Sequence, residues 1–128
     1  MSDAGPVRRL GWVLAVGGAY DIAFGVAILT LARPAAAMLR LPLPEDPVYL
    51  YLNGIFLLIV GAVYVAASRE PERYPAVAPI SAVGRVLGFV LFAWAWRGGR
   101  PTTFLALGLA DLALGIATFA AWRRARLK

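Results

Sequence analysis

Four long apolar stretches, separated by short polar, basic or proline-containing segments, divide the chain. They cover approximately residues 10–31, 48–67, 77–96 and 103–122. Each has the roughly 20 residues that an α-helix needs to cross about 30 Å of hydrocarbon. The alternating strands of a membrane β-barrel are missing from the sequence. The pattern predicts an all-α integral membrane four-helix bundle, with a single four-span domain over residues 1–128.

The connection between the first and second spans, residues 33–47, is the longest. Pro34 suits the first turn of a helix, and a mixed apolar segment with one arginine follows it. Three prolines between positions 42 and 47 prevent continuation. We therefore expect a short helix in the membrane interface here, with an ordered loop as the alternative.

Composition agrees with the membrane assignment and removes several classes of chemistry. Only 16% of residues are charged, against about 25% in soluble domains. Cysteine and histidine are both absent, which excludes disulfides, thiol catalysis, histidine-bound haem and conventional zinc sites. No cofactor or metal is predicted. The net charge of +6 comes from basic residues that flank apolar segments, so membrane lipids with anionic head groups, and not nucleic acid, are the expected partner.

Basic residues also predict the orientation. An even number of spans places both termini on one side of the membrane, and the richer side is expected to be cytoplasmic. The terminal side carries Arg8, Arg9, Arg69, Arg73, Arg123, Arg124, Arg126 and Lys128, and the other side carries Arg33, Arg40, Arg97 and Arg100.

Three charged residues, Asp21, Arg85 and Asp111, lie near the middle of apolar spans. An unpaired charge there costs about 2.5–3.5 kcal/mol on insertion scales, so we expect the three to meet. The planar guanidinium of Arg85 can bind two carboxylates at once and stays protonated. One arginine between two aspartates leaves one negative charge, which a proton, a cation or a polar ligand group must balance.

Four further polar residues are candidates for the same site: Ser81, one turn before Arg85, and Asn53, Tyr20 and Tyr64 at membrane depth. Each is predicted either to line a binding pocket or to form an interhelical hydrogen bond worth about 1 kcal/mol or less. No catalytic residue is indicated.

Glycines seven residues apart recur in three spans and return to nearly the same helix face, which predicts faces that pack closely within the bundle. They are Gly18 and Gly25, Gly54 and Gly61, and Gly108 and Gly115, with Gly84 and Gly88 as a shorter version in the third span.

The first and fourth spans share the pattern Gly-x-x-Asp-x-Ala-x-Gly-x-Ala, which starts at Gly18 and at Gly108. Because the two spans cross the membrane in opposite directions, a two-fold axis in the membrane plane could relate them. Chance similarity in alanine- and glycine-rich sequence is the alternative.

The segments "YLNGIFLL", "GRVLG" and "ADLALG" give the chain a resemblance, over nearly its whole length, to small bacterial four-helix membrane proteins grouped as DoxX-like. Most members of this group have no known function. The resemblance implies a compact bundle in the bacterial cytoplasmic (inner) membrane, sometimes beside redox or quinone systems. The architecture is also similar to that of sterol isomerases and related ligand-binding membrane proteins. Function does not transfer with a fold, and no catalytic residue is carried over.

These features favour a membrane protein that binds a lipophilic small molecule or acts as an accessory subunit, with the charged cluster orienting the ligand's polar end. Three alternatives stay open: charges that only fix helix packing, a lipid isomerase that moves a proton through an aspartate, and a small proton-coupled transporter. A homo-oligomer is also open.

The orientation can be tested with reporter fusions after Lys128 and within the loop from Pro42 to Pro47. We expect the terminal fusion to report the cytoplasm and the loop fusion the opposite compartment, because the arginine-rich side stays inside. The same compartment for both would contradict an even number of spans, whereas exchanged compartments would contradict only the orientation.

Overall fold

The computed structural model describes residues 4–125, and these form four α-helices and no strand. The helices are α1 (Ala4–Leu39), α2 (Val48–Arg69), α3 (Val77–Arg97) and α4 (Thr102–Ala125). All four are long and apolar enough to cross a membrane, which confirms the predicted fold class. Two basic residues used in the orientation argument, Arg126 and Lys128, lie outside the described residues.

The short helix expected after the first span exists, but it continues α1 and is not a separate element. Leu31 has non-helical backbone angles (φ −131°, ψ 29°), and Pro34 lies inside the helix beyond it. Proline removes one intrahelical hydrogen bond and its ring crowds the carbonyl four residues earlier, here that of Thr30. The helix therefore bends at the end of the first span and continues to Leu39.

A capping motif ends this continuation. Arg40 adopts a left-handed conformation (φ 55°), and the amide of Leu41 donates a 2.9 Å hydrogen bond to the carbonyl of Ala36. This is the pattern of a Schellman cap, which closes a helix with one left-handed residue. The Thr103 hydroxyl donates a 2.5 Å hydrogen bond to the Leu39 carbonyl, so the end of α1 is fastened to the start of α4.

The helices form a ring with one loosely closed side. α1 packs against both α2 and α4, and α3 packs against α4. Each of the other three helix pairs has few or no close backbone contacts among residues 4–125. Neighbours in the ring run antiparallel, as short connections require. The side between α2 and α3 is therefore the weakest seam of the bundle.

All four helices converge at the end of the bundle that carries the chain termini. Leu10 and Leu14 of α1 pack there with Ala67 of α2, Ala78 of α3 and Ala125 of α4, and all five are buried. Small alanine side chains let the helix backbones approach while the two leucines fill the centre. The bundle is thus closed by apolar packing at this end.

The glycines of the first two spans pack inside the bundle, as predicted, and two pairs of them join α1 to α2. A Cβ built at Gly18 would lie 2.7 Å from the carbonyl oxygen of Gly61, and one built at Gly25 would lie 2.7 Å from that of Gly54. All four are buried. Since real Cβ atoms do not come this close to a carbonyl oxygen, only glycine permits this separation of the two helices.

The glycines of α4 face α3. A Cβ at Gly108 would lie 3.0 Å from the Cβ of Phe92, and one at Gly115 would lie 2.9 Å from the Cβ of Arg85. Both glycines are buried, which confirms that this face packs inside the bundle. Gly115 has an additional role, because it leaves room for the base of the Arg85 side chain.

Gly84 and Gly88 were expected to pack against a neighbouring helix, and this prediction is wrong for Gly84. A Cβ at Gly84 would meet no atom within 4 Å, whereas one at Gly88 would meet the Asp111 carboxylate. Gly84 and Val86 lie about 100° to either side of Arg85 on the helix. Because Val86 approaches Gly115 of α4, Gly84 lies on the opposite flank, toward the open side between α3 and α2.

We predict that Gly25→Leu destabilises the bundle by about 1–3 kcal/mol, the usual range for overpacking, because Gly54 and Leu58 already occupy the space of the new side chain. Gly84→Leu is the matched control and should leave the free energy of unfolding unchanged or slightly raised. Unfolding of both variants in detergent tests this, and equal destabilisation would mean that the glycine pairs do not set the helix separation.

Candidate functional site

Arg85 of α3 is the centre of a charged cluster inside the bundle. Its side chain is only 8% exposed and crosses the bundle toward α1. Glycines make room for it at two places: Gly115 at its base, and Gly17 of α1, where a Cβ would lie 3.0 Å from Nη2. A long cationic side chain thus extends between two helices whose backbones make few direct contacts.

Asp21 of α1 holds the guanidinium with both carboxylate oxygens. Nη1 of Arg85 donates to Oδ1 at 2.8 Å and Nη2 donates to Oδ2 at 2.9 Å. Nη2 also donates to the Gly17 carbonyl at 3.0 Å. Short, charge-assisted, bidentate bonds of this type are the strongest that the two groups form. Both carboxylate oxygens of Asp21 are therefore bound to Arg85, and the pair is neutral.

Asp111 of α4 is bound to the same guanidinium much less completely. Its Oδ1 accepts one hydrogen bond from Nη1 of Arg85 at 3.3 Å, longer than the 2.7–2.9 Å typical of charge-assisted bonds. Its Oδ2 accepts no hydrogen bond from any residue in the range 4–125. The Asp111 side chain is 16% exposed, against 5% for Asp21. The predicted meeting of the three charges is confirmed, but the two carboxylates are not equivalent.

Two tyrosine rings flank the guanidinium. Cζ of Arg85 lies 5.7 Å from the ring centroid of Tyr20 in α1 and 5.6 Å from that of Tyr64 in α2. Both distances are within the range of cation–π attraction, which adds about 0.5–2 kcal/mol depending on solvation. The sequence suggested these residues for their hydroxyl groups, whereas the structure brings their ring faces to the charge. Through Tyr64, all four helices contribute to the cluster.

The remaining two candidates have different positions. Ser81 is buried one turn before Arg85, but its hydroxyl is not among the groups hydrogen-bonded to Arg85. Asn53 is exposed and lies eleven residues, or about 16 Å along α2, from Tyr64. It precedes Gly54, which packs on α1, so its side chain is turned about 100° away from that contact. Asn53 is not brought to the cluster.

Sequence reasoning missed Gly17 as a member of the site. Its carbonyl oxygen accepts a hydrogen bond from Arg85, and its missing side chain leaves the space for Nη2. The available signal was the Gly17-Gly18 pair, one turn before Asp21. Gly18 packs against α2, whereas the space at Gly17 is occupied by the Arg85 side chain.

The charges of the cluster do not cancel when both carboxylates are ionised. One guanidinium neutralises one aspartate, and the geometry assigns that role to Asp21. The remaining negative charge belongs to Asp111, in surroundings that are mostly apolar. At such a depth a charge needs a partner, so Oδ2 of Asp111 is the atom at which a proton or an external group would bind.

No family model, curated protein or solved structure matches this chain. Function is therefore inferred from the geometry of the cluster.

We predict an order of stability among three substitutions in the cluster. Arg85→Leu should cost most, about 3–5 kcal/mol, because it leaves two acids without a partner in the bundle. Asp21→Asn should cost less, and Asp111→Asn should stay within about 1 kcal/mol of the wild type, because the neutral Asp21–Arg85 pair survives.

Replacing all three charged residues with leucine should recover much of the loss caused by Arg85→Leu alone, since no unpaired charge then remains. Reversible unfolding in detergent micelles measures all four variants. A loss for Asp111→Asn equal to that for Asp21→Asn would contradict the unequal roles of the two carboxylates.

Proposed function

We propose that this four-span membrane protein binds a lipophilic small molecule from the bilayer and that the charged cluster receives the polar end of the molecule. The observation that carries the proposal is Oδ2 of Asp111, an oxygen that accepts no hydrogen bond from residues 4–125. In the interior of a membrane protein, an ionisable group without a full complement of partners is typical of a functional site.

A purely structural role accounts for only part of the cluster. Asp21, the Gly17 carbonyl and Arg85 form a paired unit that joins α1 to α3. A packing device would be complete with these groups. Asp111 adds a second carboxylate to a guanidinium that is already neutralised, which costs stability unless something else binds there. We therefore assign the packing role to Asp21 and ligand binding to Asp111.

The shape of the bundle supports entry from the lipid. The seam between α2 and α3 has few backbone contacts, and Gly84 leaves an unoccupied space beside Arg85 on that flank of α3. Tyr64 of α2, whose ring faces the guanidinium, is only half-buried. A lipophilic molecule in the bilayer would reach the cluster through this seam without crossing an aqueous phase.

The closed end of the bundle argues against the transporter alternative. Proton-coupled exchange needs the carboxylate to be reached from both sides of the membrane, and the apolar core around Leu10 and Leu14 blocks the route from the terminal end. Transport would require that core to open. Binding from the bilayer requires no such change.

The proposal extends to the cellular setting. We place the chain in the bacterial cytoplasmic membrane with both termini in the cytoplasm, as the arginine distribution and the DoxX-like resemblance imply. There it would act as a binding protein or as an accessory subunit that holds a lipophilic molecule for a partner.

Photoreactive ligands test the proposal. Two dodecyl probes that carry a diazirine in the chain, one ending in a primary amine and one in an alcohol, are offered to the protein in lipid vesicles. We expect at least one probe to label residues around Tyr64 and Gly84 in saturable fashion. Gly84→Leu should reduce this labelling several-fold, because the leucine fills the seam, while the fold is kept.

Ala113→Leu is the matched control, because it adds the same side chain at an exposed position of α4. It should label like the wild type. Uniform, non-saturable labelling of the lipid-facing surface by both probes, unaffected by Gly84→Leu, would contradict binding at the cluster.

A further inference from the structure

We infer that the ligand is a lipophilic amine and that its protonated nitrogen binds Oδ2 of Asp111. This inference rests on the proposed function, because it names the chemical class of a molecule that enters the bundle from the bilayer. It depends on three features of the cluster: its charge, the direction in which its hydrogen bonds run, and its depth in the membrane.

Charge is the first feature. The ionised groups beside Asp111 are Arg85 from α3 and Asp21 from α1, which shares Nη1 of Arg85 with it, and the ring of Tyr20 of α1 lies over the same guanidinium. From α2, Tyr64 contributes a neutral ring. Since Asp21 already neutralises Arg85, a ligand cation restores neutrality. An anionic head group would instead add a second unbalanced negative charge at low dielectric.

Hydrogen bonding is the second feature. Oδ2 of Asp111 can only accept, and the four N–H bonds at Nη1 and Nη2 of Arg85 are all directed to Asp21, Asp111 and Gly17. The group that binds Oδ2 must therefore be a donor. An ammonium group supplies both the donated hydrogen bond and the charge, and charge-assisted bonds are about twice as strong as neutral ones. An alcohol supplies only the hydrogen bond.

Depth is the third feature, and it separates a free amine from the ammonium of a phospholipid head group. Arg85 lies eight residues from the start of α3 and twelve from its end, about 12 and 18 Å along the axis. A phosphatidylethanolamine ammonium could reach Asp111 only by drawing its phosphate into the hydrocarbon. A single-chain amine carries no other charge and fits the site at this depth.

The two dodecyl probes distinguish this inference from the proposed function. We expect the amine to label the wild type at a concentration at least ten-fold lower than the alcohol does. In Asp111→Asn the amine should lose this advantage and label like the alcohol, because the residue keeps its shape and loses its charge. Asp111→Glu, which restores the carboxylate, should recover part of the amine preference.

The alcohol probe also reports on folding. Alcohol labelling that is unchanged in Asp111→Asn shows that the site survives, so that a loss of amine labelling reflects the charge. If Asp111→Asn abolishes alcohol labelling as well, the amine and alcohol probes are compared in Asp111→Glu instead. An amine advantage below two-fold in that variant overturns the inference.

Further outcomes would overturn it in other ways. Equal labelling of the wild type by amine and alcohol would mean that a proton balances Asp111, which rejects the amine while the lipophilic site stands. Displacement of the amine probe by phosphatidylethanolamine as effectively as by dodecylamine would reject a single-chain ligand. Absence of saturable labelling by either probe rejects the proposed function itself.

Discussion

The bidentate ion pair between Arg85 and Asp21 is the interaction on which the bundle depends. An arginine in the middle of a membrane span must be neutralised, and Asp21 supplies two short hydrogen bonds from a different helix. The pair links α3 to α1, whose backbones have few contacts. Gly17 of α1 and Gly115 of α4 leave the space that this side chain occupies.

The two halves of the chain use glycine differently around this pair. Between α1 and α2, glycines oppose glycines, and the backbones almost touch. Between α4 and α3, glycines oppose the large side chains of Phe92 and Arg85. The first arrangement brings two helix backbones close together, and the second leaves room for the bases of two large side chains. The similar patterns of the first and fourth spans thus serve different packing surfaces, while both of their aspartates reach one guanidinium.

Much of this architecture could be predicted from the sequence. Span lengths set the helix count, and the cost of isolated charge in hydrocarbon made a contact among Asp21, Arg85 and Asp111 the expected solution. Helical periodicity could not predict which aspartate binds Arg85 more tightly. It shows on which face of a helix a residue lies, but not how far that residue is from its partner. Gly84 and Asn53 were misjudged because depth in a span does not tell which neighbouring helix, if any, lies opposite. The kink at Leu31 was not predicted, because Pro34 fits the first turn of a new helix as well as the bent continuation of an existing one.

The location of Asp111 on the same hairpin as Arg85 has a consequence for biogenesis. Helices α3 and α4 are joined by a short turn, so they can enter the bilayer as a hairpin that already contains a cation and an anion facing each other. The α1–α2 hairpin brings one acidic residue and no cation at that depth. When the hairpins associate, Asp21 takes the shorter bonds to the guanidinium and Asp111 keeps the longer one. Asp111, which can pair with Arg85 within its own hairpin, thus has after assembly one oxygen that accepts no hydrogen bond from residues 4–125.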